Sequence, residues 1–250
     1  MGFGSIIIGD EILSGKRQDK HFATVVAALG RRGMELSWST YLGDEPARIA
    51  DALARAYASG DVVFSFGGIG GTPDDQTRQA AAQAAGVALE LHPDAEREIR
   101  ARFDGEVTAH RLAMGTFPVG SAIIPNPYNR IPGFSFRNVH FLPGFPQMAW
   151  PMLEWVLDTH YAHLARAPES DVALLVYGVG ESQLIDLMNA CLERHPGVKL
   201  FSLPRIGDPS YIELGVRAEP SRAVEALSFL EAGVRERGLR FEPRKSLALD

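Results

Sequence analysis

The residues with the clearest chemical promise are Gly67-Gly68-Ile69-Gly70-Gly71-Thr72-Pro73-Asp74-Asp75, which follow an apolar run at 61–66 and precede an alanine-rich stretch. Four glycines let a backbone come close to a ligand, and successive amides at a helix start favour an anion such as phosphate. Asp74 and Asp75 suit Mg²⁺, which takes one or two carboxylates together with substrate phosphate oxygens. The same letters also read as helix capping, with Thr72 as N-cap, Pro73 at the first helical position and acids that complement the helix dipole. Capping accounts for Thr72 and Asp75 but not for four glycines.

Two further acidic groups follow apolar runs in the same way: Gly9-Asp10-Glu11 after 5–8, and Gly43-Asp44-Glu45 after 36–42. If the three runs are parallel strands, their carboxyl ends share one edge of the sheet, and the acids share it too. Taken singly, Asp44 reads equally as an N-cap before Pro46, and Asp10-Glu11 as a solvated turn. Together they favour a metal or acid–base site. Pro143-Gly144-Phe145-Pro146 follows another apolar strand and reads either as stiff punctuation or as part of the same site.

Other motifs fall away on spacing. Gly9 and Gly15 enclose five residues where a Walker A loop needs four, and Arg17 stands where its hydroxyl should follow Lys16. Gly2-Phe3-Gly4 precedes its strand and Gly178-Val179-Gly180 lacks a third glycine, so neither is a dinucleotide fingerprint. There is no Gly-x-Ser-x-Gly elbow for a serine hydrolase. His160 and His163 read as a solvated helix end and Cys191 as core, because neither has a partner nearby in sequence.

Positioning such a site takes alternating elements. Strands are expected at 5–8, 36–42, 61–66 and 87–91. Between them lie helices marked by Phe22, Val25, Val26 and Leu29, by Ile49, Leu53 and Tyr57, and by the stretch 77–85. A helix over 93–103, short strands at 121–124 and 139–142 and a helix over 147–164 complete a doubly wound, mostly parallel α/β domain at 1–166. After a linker at 165–170, residues 171–250 read as a small α+β domain of order βαββα, and loops at 110–136 shape any ligand pocket.

Composition agrees. The chain has 250 residues, 46% hydrophobic and 22% charged, which is ordinary for a folded protein. A net charge of −6 without a basic run argues against nucleic acid as a main partner. The single cysteine excludes an internal disulfide or a multi-thiolate metal site and suits a cytoplasmic protein. No apolar stretch reaches the roughly eighteen residues that span a bilayer, and the first nine residues lack a signal-peptide pattern, so no membrane association is expected. Ile6 stands where a myristoylation signal needs Ser or Thr.

Ile8 to Gly15 (IGDEILSG), Gly67 to Thr77 (GGIGGTPDDQT), Asn126, Pro132-Gly133 and Leu142 to Pro146 (LPGFP) occur in an order that resembles the molybdopterin-binding, molybdenum-cofactor-biosynthesis-like domain family, in its CinA-like (competence/damage-inducible) form. Gly178 to Leu184 (GVGESQL) resembles the start of the small second domain of those proteins. The resemblance implies a three-layer α/β domain that binds a pterin or nucleotide phosphate across the glycine loop, with Asp44 and Asp75 in functional positions. It also implies either metal-dependent cleavage of nucleotide pyrophosphates such as ADP-ribose or binding of molybdopterin, and a homo-oligomer. The expected assignment is therefore Asp44, Asp75 and Glu11 as catalytic residues and Asp10, Asp74 and Asp75 as ligands for Mg²⁺. Gly67, Gly68, Gly70, Gly71, Thr72, Pro143 and Gly144 would contact the ligand. Gly71 departs from the usual loop, which has proline there, and His21 replaces a common asparagine. The 250 residues do not include the deamidase domain of longer relatives, so deamidation is not expected of them.

Overall fold

A computed structural model of the chain describes residues 1–103 and 107–244. They belong to two compact units, Met1–Arg166 and Ala167–Asp250. Residues 245–250 of the expected second domain lie outside the described residues.

The first unit opens with β1 (Phe3–Ile8), α1 (Asp10–Leu13), α2 (His21–Gly30), β2 (Leu36–Leu42), α3 (Pro46–Ser59), β3 (Val62–Phe66) and α4 (Thr77–Ala85). It continues with β4 (Leu89–Leu91), α5 (Pro93–Arg102), α6 (Ala109–Ala113), β5 (Thr116–Pro118), β6 (Ala122–Ile124), β7 (Gly133–Phe136), β8 (Val139–Leu142) and α7 (Pro146–His160). The main sheet has the order β2-β1-β3-β8-β7-β6. Its first four strands run parallel, while β7 pairs antiparallel with β8 and β6 antiparallel with β7.

Successive side chains on a strand point to opposite faces, and here both faces are covered. Ile6, Ile8 and Val63 pack with Ile49 and Leu53 of α3 and with Ala80 and Ala81 of α4. On the other face, Phe3, Ile7, Phe64 and Phe66 meet Val25 and Leu29 of α2 and Met152 and Val156 of α7. The result is the doubly wound α/β arrangement that the alternating strands and helices predict, in the three layers that the family resemblance implies.

Several local expectations are corrected. Residues 87–91 were expected to extend the doubly wound sheet, but β4 lies outside it and pairs antiparallel with β5. The place beside β3 belongs instead to β8, with Val63 opposite Val139 and Phe66 opposite Leu142. Strand β7, in a segment too rich in Pro, Gly and Asn to show a period, is held by Phe134, whose ring stacks on those of Phe117 at 4.6 Å and Phe141 at 4.3 Å. Helix α7 ends at His160, and a separate 3₁₀ turn covers Ala162–Leu164. Thr72 caps no helix: residues 72–75 form a turn, with the Asp75 amide on the Thr72 carbonyl, and α4 starts only at Thr77.

The second unit contains β9 (Ser170–Tyr177), α8 (Ile185–Arg194), β10 (Lys199–Arg205), β11 (Tyr211–Ala218), α9 (Pro220–Glu236) and β12 (Phe241–Pro243). The sheet β10-β11-β9-β12 is antiparallel throughout. Leu174, Val176, Leu214 and Val216 pack on Leu187 and Cys191 of α8 and on Ala226 and Leu230 of α9. Strand β12 adds an element to the expected βαββα order. Burial pushes the Cys191 thiol up, away from the reactive thiolate. Among the described residues, no helix is long and apolar enough to cross a membrane.

His160 and His163 are exposed, and the structural histidine of this region is His140 on β8. It is buried, with Nδ1 2.8 Å from Ser135 Oγ and Nε2 2.7 Å from the Tyr161 hydroxyl. Burial, reinforced by His160, pulls its pKa down to about 3. The folded value is below the unfolded one, so the stability His140 contributes is present above the ordinary imidazole range and is lost as pH falls through that range towards 3. The melting temperature should therefore fall more steeply between pH 7 and pH 4 in the wild type than in His140→Gln. For this one group the slope is bounded at about 1.4 kcal/mol per pH unit. Identical pH slopes in calorimetry would show that His140 carries none of the acid sensitivity.

Candidate functional site

Because β1, β2, β3 and β8 are parallel, the segments that leave them emerge at one edge of the sheet: Gly9, Gly43, Gly67 and Pro143. The ladder runs one residue beyond the strands, with the Gly9 amide on the Leu42 carbonyl and the Gly67 amide on the Leu142 carbonyl, both at 3.0 Å. Gly67 has φ +99°, and a Cβ there would collide with the Ile8 carbonyl oxygen. Glycine is therefore required both by the backbone and by the close approach. Gly144 lies against Gly67, its Cβ position being 3.5 Å from the Gly67 Cα.

The glycine loop is ordered from beneath by buried side chains of α2 and α4. Thr77 is buried, donating its hydroxyl to the Gly67 carbonyl at 3.0 Å and its amide to the Gly68 carbonyl at 2.9 Å. Arg78 is also buried, and its guanidinium donates to the Gly70 carbonyl at 2.6 Å and to the Ala113 carbonyl on α6. Burial lowers the Arg78 pKa while the Asp75 charge raises it. His21, on α2, stacks on Phe66 at 4.5 Å and shares a 3.1 Å hydrogen bond with the Gly144 carbonyl. Burial holds its imidazole below the usual range, partly offset by that bond and by Asp19. In sequence, Thr77 and Arg78 look like any polar first turn and His21 like a helix-face residue; only the tertiary fold brings them under the loop.

The acids divide into two groups. Asp10 and Asp44 exchange hydrogen bonds: the Asp10 amide donates to Asp44 Oδ2 at 2.9 Å and the Asp44 amide to Asp10 Oδ1 at 3.2 Å. This cross-link between the ends of β1 and β2 sets two carboxylates side by side. Partial burial pushes the Asp44 pKa up, and repulsion from Asp10, Glu11 and Asp74 adds to this against the Asp10 amide bond. Asp75 differs: its Oδ2 accepts from the Thr72 amide at 2.8 Å and the Thr72 hydroxyl at 2.6 Å. Asp75 Oδ2 and Thr72 thereby brace the loop, leaving Gly68, Gly70 and Gly71 as its partly exposed backbone. Asn126 likewise closes its own turn, through the Ile131 carbonyl and the Tyr128 amide.

Among the described residues, no three His, Cys, Asp or Glu side chains come together as a metal-holding group. Asp10, Asp74 and Asp75 thus form no three-ligand centre. The Asp10–Asp44 pair still fits Mg²⁺, which keeps waters and ligand phosphates and needs only one or two carboxylates. The repulsion within the acidic group is the feature a cation would relieve.

Asp44 yields a sign that can be tested. Its folded pKa lies above its unfolded one, so its favourable contribution is full below the unfolded value and lost as pH rises through the folded one. Asp44→Asn keeps an acceptor for the Asp10 amide but removes the charge. It should melt at a higher temperature than the wild type at pH 7 in chelator, with the gap closing towards pH 3. A lower melting temperature at pH 7 would mean that the charge stabilises this edge.

A family model described as "Probable molybdopterin binding domain" matches residues 4–163. A CinA-like protein of Citrifermentans bemidjiense is 32% identical over 200 residues, covering 77% of this chain and 48% of the relative. One from Desulfovibrio desulfuricans is 31% identical over 231 residues, covering 89% and 53%. The chain thus spans about half the length of the curated relatives it matches. Among solved structures, the protein CinA of unknown function from Thermoplasma acidophilum aligns with a TM-score of 0.58 at 28% identity, covering 64% of this chain and 98% of that one. The family match takes in the acidic strand ends, the glycine loop and the turn after β8, and the chain belongs to the molybdopterin-binding domain family.

Proposed function

We propose that the first unit holds a nucleotide or pterin ligand by its phosphate at Gly68, Gly70 and Gly71, and cleaves the phosphoanhydride of a nucleotide diphosphate such as ADP-ribose. The observation that carries this reading is the Asp10–Asp44 cross-link, which holds two repelling carboxylates on the sheet edge that also bears the glycine loop. Asp10 and Asp44 would hold a Mg²⁺ ion. When bound, the ion supplies Lewis-acid polarisation of a phosphoryl oxygen and an acidified water. The chain's own residues do the rest. Backbone amides of the loop orient the phosphates, Asp75 keeps the loop in shape through Thr72, and Glu11, in the same acidic group, takes the proton of the attacking water.

A non-hydrolytic molybdopterin- or nucleotide-binding role is the second reading. It is favoured by the commitment of Asp75 to Thr72, which leaves that carboxylate ordering the loop rather than facing a reacting group.

Incubating the 250-residue chain with ADP-ribose, in Mg²⁺ or in chelator, and following AMP by chromatography tests both readings. Mg²⁺-dependent release is expected, reduced at least about 100-fold in Asp44→Asn, the scale on which positioned catalytic groups act. Asp75→Ala should weaken substrate binding by loosening the loop. Retained calorimetric binding of ADP-ribose or molybdopterin with no AMP formed would reject hydrolysis of this substrate and leave the binding role standing.

A further inference from the structure

Gly71 is a glycine whose backbone does not call for one, since its φ lies outside the left-handed region. Space explains it instead. A Cβ at this position would sit 3.3 Å from His110 Nε2 and from Met114 Cγ, and 3.4 Å from Met114 Sδ. At such distances the neighbours must give by a few tenths of an ångström, so the absent side chain makes room for the imidazole. The contact is not incidental, because α6 is fastened to the loop by Arg78, whose guanidinium bonds the Gly70 carbonyl and the carbonyl of Ala113 on α6. His110 is thereby held on the segment of loop that offers its backbone to a ligand. It is exposed and has no hydrogen-bond partner among the described residues.

Charge gives this placement a purpose. The charges acting on Asp44 at this edge are those of Asp10, Glu11 and Asp74, with Arg17 4.0 Å from Glu11, while residues 67–75 contain no lysine or arginine. The nearby Arg78 is buried, with Nη1 and Nη2 on carbonyl oxygens. An imidazole N–H can donate a hydrogen bond to a phosphate oxygen.

We propose that His110 is a phosphate-binding residue whose Nε2–H donates a hydrogen bond to a phosphate oxygen of the ligand held at Gly70 and Gly71. The inference rests on the phosphate-binding part of the proposed function and deepens it by adding a side-chain contact from a different element.

Calorimetric titration with ADP-ribose and with inorganic pyrophosphate tests it on the wild type, His110→Ala, His110→Gln and Gly71→Ala. His110→Ala should bind both ligands about tenfold more weakly, the equivalent of one hydrogen bond to a charged acceptor. Its melting temperature should match the wild type, since the side chain is exposed. His110→Gln, which restores an N–H donor, should recover part of the loss. In Gly71→Ala the added methyl displaces the imidazole and should weaken both ligands several-fold. Wild-type affinity in His110→Ala, or a loss that glutamine does not relieve at all, would overturn the proposal while leaving phosphate binding at the loop intact. If the wild type itself bound neither ligand, the underlying reading would fall and this one with it.

Discussion

The passage of Gly67 over the carbonyl oxygen of Ile8 is the close contact around which the site is arranged. A side chain at that point would push the chain leaving β3 away from the end of β1. The glycine loop would then no longer emerge beside the turn that carries Asp10 and Glu11. The approach is possible because β1 and β3 are parallel neighbours in register, Ile7 opposite Phe66, so that their carboxyl ends lie side by side. It is held by the Thr77 hydroxyl on the Gly67 carbonyl and covered by Gly144 from the next parallel strand. Backbone geometry rather than side-chain chemistry brings the two halves of the site together.

Electrostatics then divides that edge. The acidic side is kept in place by main-chain amides, Asp10 and Asp44 each capping the other, so like charges remain adjacent although they repel. The loop side is stabilised by a buried guanidinium that bonds carbonyl oxygens rather than a carboxylate. Holding a charge in such surroundings is costly, and Arg78 offsets part of that cost by donating from Nη1 and Nη2 to two separate segments, while its buried Nε has no partner among the described residues. Loop and α6 are thus coupled through one side chain. Burial acts on the histidines inside the unit in the same way: His140 and His21 are both pulled towards the neutral form.

Much of this was legible in the residues. The runs Ser5-Ile6-Ile7-Ile8 and Val62-Val63-Phe64 mark strands buried on both faces, the helical spacing of Ile49, Leu53 and Tyr57 marks a covering helix, and glycines and acids at strand ends mark the edge that carries the candidate site. Local pattern carries that information because burial on two faces and helical periodicity are properties of short stretches. What the sequence alone determined, then, is the α/β class, three of the four strands that compose the parallel part of the sheet, and the edge at which the candidate site lies. The tertiary structure decided the rest. It put β8 rather than residues 87–91 beside β3, turned Asp75 onto Thr72, paired Asp10 with Asp44, and brought Arg78, His21 and His110 to the loop. Each of these joins segments remote in sequence or depends on the direction in which a short polar side chain turns, and neither leaves a period in the chain: only packing selects among the partners that local chemistry allows.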